Sequence, residues 1–106
     1  MVMIRELQHA SDFHHTLSSN TRVVVNFFSP FSRACGLIEP TIEQLANEAP
    51  HITFVKADIE KFEEVGAEIG VVAFPTFIFF KDGVRQANVV VGANKAELEK
   101  EVRGFS

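Results

Sequence analysis

The seven residues Arg22–Phe28 read R-V-V-V-N-F-F, and all but the first and fifth are β-branched or aromatic. Drawn out as a strand, such a segment has no face to offer water. It suits a sheet covered on both sides, the setting of strands in α/β domains. Changes of hydrophobic period along the chain supply the covers. Helices are expected from Ser11, as N-cap, to about Ser19; over Ser32–Glu48; around Phe62, Val65, Gly66 and Ile69; and from Asn94 through Leu98 and Val102 to Gly104. In the second of these, Leu37, Ile38, Ile42, Leu45 and Ala46 recur at helical spacing, and Pro40 is expected to kink it. Strands are expected at Val2–Glu6, Ile52–Ala57, Phe77–Phe80 and Ala87–Val91, the last two joined by a Lys81-Asp82-Gly83 turn. A β-α-β-α-β opening demands parallel strands with right-handed crossovers, and the hairpin adds antiparallel ones. The expected fold is α/β: a mixed five-stranded sheet, three parallel strands plus an antiparallel hairpin, flanked by four helices.

Length and charge limit the rest. The 106 residues make one domain, 1–106, able to bury a core without staples. A net charge of -4 argues against a nucleic-acid partner held through phosphates. Met1–Ala10 carries Arg5 and Glu6 with no apolar run after them, so no signal peptide is read there. The longest apolar stretch, Val71–Phe80, is broken by Pro75 and Thr76 and reaches about half the length of a membrane helix. A cytoplasmic, reducing compartment is therefore expected, with no membrane partner. His9, His14, His15 and His51 lack metal-ligand spacing and read as surface residues; no metal is expected. The G-x-G-x-x-G pattern is absent and no cofactor is expected. Glu60-Lys61 and Glu63-Glu64 read as a solvated face, and Gly66 and Gly70 as brackets of a helix end.

Cys35 is the only cysteine. It excludes an intramolecular disulfide, and with it a disulfide-framed module. Its position carries more information. The buried strand runs through Ser29-Pro30-Phe31 into a helix whose first turn holds Ser32 and Cys35. Free N–H groups and the positive dipole end favour a thiolate in such a place, and Arg33 adds to that. The plain structural readings are that Ser32 caps the helix and that Cys35 is a small buried hydrophobe.

Four stretches, Val23–Phe27, Phe31–Cys35, Phe74-Pro75-Thr76 and Val91-Gly92-Ala93, stand in an order that resembles the thioredoxin family. That family's pattern is a V-V-V-D-F strand, a W-C-G-P-C junction, an I-P-T strand opening and a late V-G-A. Pro40 and Lys81-Asp82-Gly83 match in kind and place, so the resemblance covers almost the whole chain. It implies the thioredoxin fold and thiol-disulfide exchange on cysteine-containing protein substrates, with thioredoxin reductase as electron donor. It further implies that the attacking cysteine falls on Ser32, the resolving cysteine on Cys35 and the buried acid on Asn26. The two loop tryptophans fall on Phe28 and Phe31, and the Gly-Pro between the cysteines on Arg33-Ala34. Pro75 falls on a cis-proline beside Cys35, and Phe31, Phe74, Gly92 and Ala93 would rim a peptide groove with it. Lys56 is similar to a lysine near the buried acid.

These departures have chemical consequences. Disulfide reduction needs an attacking thiolate and a second thiol to resolve the mixed disulfide. A serine hydroxyl attacks poorly without a paired base, and no motif places one beside Ser32. Asn26 is neutral and relays no proton; it reads as a hydrogen-bonded core amide. Without the acid, Lys56 is expected to snorkel to solvent. Three readings stay open: a thioredoxin whose attacking cysteine is replaced, with dithiol turnover lost; a redox-inactive protein-binding module; and a monothiol protein using Cys35 for mixed disulfides.

Overall fold

The computed structural model describes residues 4–105. The elements are β1 (Arg5–Glu6), α1 (Ala10–Ser19), β2 (Arg22–Phe28), α2 (Arg33–Glu48), β3 (Thr53–Asp58), α3 (Glu63–Ile69), β4 (Thr76–Lys81), β5 (Val84–Val91) and α4 (Lys95–Arg103). The sheet order is β1-β3-β2-β4-β5, parallel between β1, β3 and β2 and antiparallel from β2 through β4 to β5. This is the mixed five-stranded, four-helix arrangement expected. Val2 and Met3 of the first expected strand lie outside the described residues.

β2 sits at the centre and is buried at every residue from Val23 to Phe27. Its alternate side chains feed two cores. Val24 packs with Ile38, Ile42 and Leu45 of α2, Leu98 and Val102 of α4, and Phe77, Phe79 and Val90 of the sheet. Val23, Val25 and Phe27 pack on the other face with Phe13, Phe62, Val55, Ile78 and Phe80. The phenylalanines bring no polar atoms, so this interior asks for no hydrogen bonds from its rings. Phe13 stands edge-on to Phe80 at 5.8 Å between centroids, and Phe79 to Phe105 at 5.2 Å.

Three local expectations are corrected. The cap of α1 is His9, not Ser11, which lies inside the helix. The reason is Asp12: its Oδ2 accepts from the backbone N–H of Gln8 (2.9 Å) and of His9 (3.0 Å), fixing the start two residues earlier. Strand β5 begins at Val84 rather than Ala87. Asp82 (φ 52°) and Gly83 (φ 79°) form a two-residue turn with both φ positive, which pairs Val84 with Lys81 at once. Gly66 lies inside α3, not at its end: a Cβ there would stand 2.6 Å from Ile59 Cδ1, so the glycine lets helix and loop approach. Gly70, with φ 91°, does cap α3.

Asp12 also yields a pH test. The N–H groups of Gln8 and His9 hold its carboxyl below the usual 3.8, with the Arg5 guanidinium adding to the effect. A carboxyl depressed on folding stabilises above its unfolded pKa, and that stability is lost as pH falls through the folded value. Asp12→Asn should lower Tm modestly at pH 7, and the difference from the parent chain should close on acidification below 3.8. Melting curves across that range check it.

Candidate functional site

The antiparallel pairing of β2 with β4 and of β4 with β5 brings three loops to one end of the sheet. Phe27 lies opposite Thr76, and Thr76 opposite Val91. Residues 29–32, 70–75 and 92–94 therefore meet where β2 ends. In the first loop Ser32 N–H donates to the Ser29 carbonyl (3.1 Å), and Phe31 N–H to Ser29 Oγ (3.3 Å). These bonds turn the chain around Pro30, and Phe31 is 85% exposed. Ser32 is the N-cap of α2, and its Oγ accepts from Cys35 N–H at 3.4 Å. The residue types explain the geometry: serine is a favoured cap, and its acceptor satisfies one of the helix's free donors.

Cys35 is a free thiol, buried at 4% exposure on the side of α2 that faces the sheet. α2 runs through Pro40 to Glu48, and Cys35, Ile38, Ile42 and Leu45 form its inward stripe. In the second loop the Phe74–Pro75 peptide is cis. Pro75 is buried and Phe74 half-buried. The Pro75 carbonyl accepts from Gly92 N–H at 2.7 Å, tying the second and third loops together. Thr76 Oγ1 donates to the Ala73 carbonyl at 2.6 Å and holds the loop from within. Gly92 has φ 84°, a backbone that suits glycine, and Ala93 is exposed. All the residues singled out from the sequence at this end, Phe31, Ser32, Cys35, Phe74, Pro75, Gly92 and Ala93, thus sit on these loops or on the helix turn beside them.

Asn26 is 5% exposed, and its Oδ1 has no hydrogen-bond partner. The expectation of a hydrogen-bonded amide is corrected for that oxygen. Its partners across the strands are Phe77 and Lys56, and Lys56 turns its ammonium elsewhere. Lys56 Nζ stands 5.3 Å from the centre of the Phe28 ring, so this half-buried lysine rests on an aromatic face instead of running clear to solvent. Sequence reasoning missed that pair, although parallel register places Lys56 beside Asn26 and one pleat from Phe28. It also missed Val72, 91% exposed in the second loop. The four histidines are exposed, as read. Among the described residues no three His, Cys, Asp or Glu side chains are grouped to hold a metal ion, and no helix is long and apolar enough to cross a membrane.

Comparison with known proteins bears on this end of the molecule. The thioredoxin family model matches residues 4–104. Thioredoxin-1 of Schizosaccharomyces pombe is 35% identical over 101 residues, covering 95% of this chain and 97% of that protein. The crystal structure of oxidised mitochondrial thioredoxin 3 from Saccharomyces cerevisiae superposes with a TM-score of 0.89 at 29% identity, covering 95% of this chain and 94% of the other. A structure described for the thiol resolving mechanism of a yeast mitochondrial 1-Cys peroxiredoxin, via glutathione and thioredoxin systems, superposes at 0.88 with 28% identity and the same coverage.

Proposed function

The chain belongs to the thioredoxin family, and from that premise we propose that it is a thioredoxin-fold protein that has lost dithiol turnover and keeps the peptide-binding end of the fold. Thiol-disulfide exchange is the family's general activity. One observation carries the reading: the only thiol, Cys35, is buried, and the residue that opens its helix is a hydroxyl engaged as N-cap. We read Ser32 as standing where the attacking cysteine would be, Cys35 as the resolving residue and Asn26 as standing where the buried acid would be. A hydroxyl held as a cap acceptor, with no base beside it in the motif, is a poor nucleophile. A single thiol leaves no second one to resolve a mixed disulfide within the chain.

The binding half of the reading rests on Phe31, Phe74, Pro75, Gly92 and Ala93. Phe31 and Val72 are large apolar side chains left exposed on two of the loops at this end, surface that a bound partner would cover. The partners proposed are proteins with a cysteine or an apolar segment; a thioredoxin reductase and a peroxiredoxin belong to that class. We place the protein in a reducing compartment, the cytoplasm or, as the mitochondrial relative suggests, the mitochondrion.

The test is insulin-disulfide reduction with dithiothreitol as reductant. The unmodified chain should leave the rate at the dithiothreitol background. Turnover above it overturns the proposal.

A further inference from the structure

Charged residues are sorted by sheet face at the end of the molecule where the three loops meet. β2 and β5 both run opposite to β4, so both end there, and α2 and α4 each start there. These two helices share one face of the sheet, with Ile38, Ile42, Leu98 and Val102 in a single cluster. The first residue of α2 is Arg33 and the first of α4 is Lys95, both exposed. Segments 29–38, 70–76 and 91–96 contain these two cations and no Asp or Glu, in a chain of net charge -4. The acids of this end lie elsewhere. Asp58 and Glu60 stand at the end of β3, and Glu63 and Glu64 open α3, which packs on the opposite face. Glu97, in the first turn of α4, is half-buried. Most other cations are engaged: Arg5, Lys61 and Arg103 pair with carboxylates, Arg22 and Arg85 donate to backbone carbonyls, and Lys56 sits on Phe28. Among the described residues the side chains of Arg33 and Lys95 have no such partner. Apolar surface lies beside Arg33. Leu37, 65% exposed, is four residues on and so on the same flank of α2, and Phe31 stands two residues before. Acids, not bases, are favoured in a first helical turn, so helix stability does not account for these two cations.

We infer that this end takes a protein segment whose apolar residues are flanked by Asp or Glu. The apolar residues cover Phe31, Leu37 and Val72, and the carboxylates meet Arg33 and Lys95. The inference rests on the binding half of the function proposed above and names the chemistry of the partner. Charge complementarity selects this occupant. Two cations without an opposing exposed acid on their face set a positive potential that attracts carboxylates and repels a lysine- or arginine-rich segment. The apolar side chains supply contact area, and the cations supply choice among partners. The Arg33 guanidinium can donate to a carboxylate through two parallel bonds, which makes it the more selective of the two. A nucleic acid also brings negative charge, but two cations on a chain of net charge -4 are too few to hold a phosphate backbone.

The experiment follows the fluorescence anisotropy of labelled, cysteine-free peptides titrated with the full chain at low salt. The peptides share a Leu-Ala-Val-Phe centre and carry glutamates, glutamines or lysines on both flanks; a labelled oligo-dT strand is titrated beside them. The glutamate peptide should bind about two- to tenfold more tightly than the glutamine peptide, the scale of two exposed ion pairs, and the lysine peptide more weakly than either. Added salt should shrink these differences. Arg33→Glu should remove most of the preference, and Arg33→Glu combined with Lys95→Glu should invert it. Lys81→Glu makes the same change of net charge as Arg33→Glu at the opposite end of the sheet, beside Arg22, and should leave the preference intact. Three results overturn the inference while the binding end stands: a glutamate peptide that binds no better than the glutamine one, a preference altered as much by Lys81→Glu as by Arg33→Glu, or oligo-dT bound as tightly as the glutamate peptide. Binding by none of the peptides overturns the binding end and the inference together.

Discussion

Ser32→Cys should convert a chain inert toward insulin disulfides into one that reduces them, the signal rising from background to steady turnover. The substitution changes one atom at a half-buried position that already opens α2. It places a thiol among the free N–H groups at the helix start, where a thiolate is stabilised. Cys35, one turn on, then has a partner: the new thiolate attacks the substrate disulfide, and Cys35 displaces the reduced product. Two costs are expected. Ser32 Oγ now accepts from Cys35 N–H, and losing a serine cap costs about 0.5–2 kcal/mol, so the variant should melt lower. Asn26 still offers no proton relay. General acid–base catalysis contributes about 10²–10⁴-fold, so Ser32→Cys alone should run roughly 10²-fold below Ser32→Cys combined with Asn26→Asp. Recovery in the single variant marks a thioredoxin disabled at one position. A folded Ser32→Cys chain that stays at background leaves the peptide-binding module as the function and removes disulfide exchange from it.

The fold was legible because its central signal is physically costly to misplace. Arg22–Phe28 can be buried on both sides only inside a covered sheet, and the Asp82-Gly83 turn fixes the pairing of β4 with β5. The Ser32 cap and the burial of Cys35 were legible for a similar reason, since residue type and helical position together dictate them. What escaped was set by partners distant in sequence. The start of α1 was misread because a carboxylate three residues into the segment captures two N–H groups before it. The unpaired state of Asn26 Oδ1 and the seat of Lys56 on Phe28 depend on which cross-strand neighbour the ammonium chooses, and no local pattern records that choice. Exposure of Phe31 depends on the turn that Ser29 closes over Pro30.

Asn26→Val should raise Tm. A buried acceptor without a donor carries a desolvation cost of about 1–3 kcal/mol, and replacing the amide by an apolar group of similar size removes it. Valine also suits the site as a β-branched residue, in a strand whose neighbours Val24 and Val25 are already valine. Each kcal/mol is worth about 4–8 °C for a domain near this size, an effect that thermal melts resolve easily. Asn26→Asp works in the opposite direction with a pH signature. Burial without a cation or donor would push that carboxyl above the ordinary aspartate value near 3.9. A carboxyl raised on folding stabilises below its unfolded pKa and loses that contribution as pH rises, so this variant should fall further behind the parent from acid toward neutral pH. A parent chain that melts above Asn26→Val at pH 7 would mean that Oδ1 is satisfied in solution. The expected order, valine above asparagine above aspartate at neutral pH, makes Asn26 a residue held at a cost to the fold.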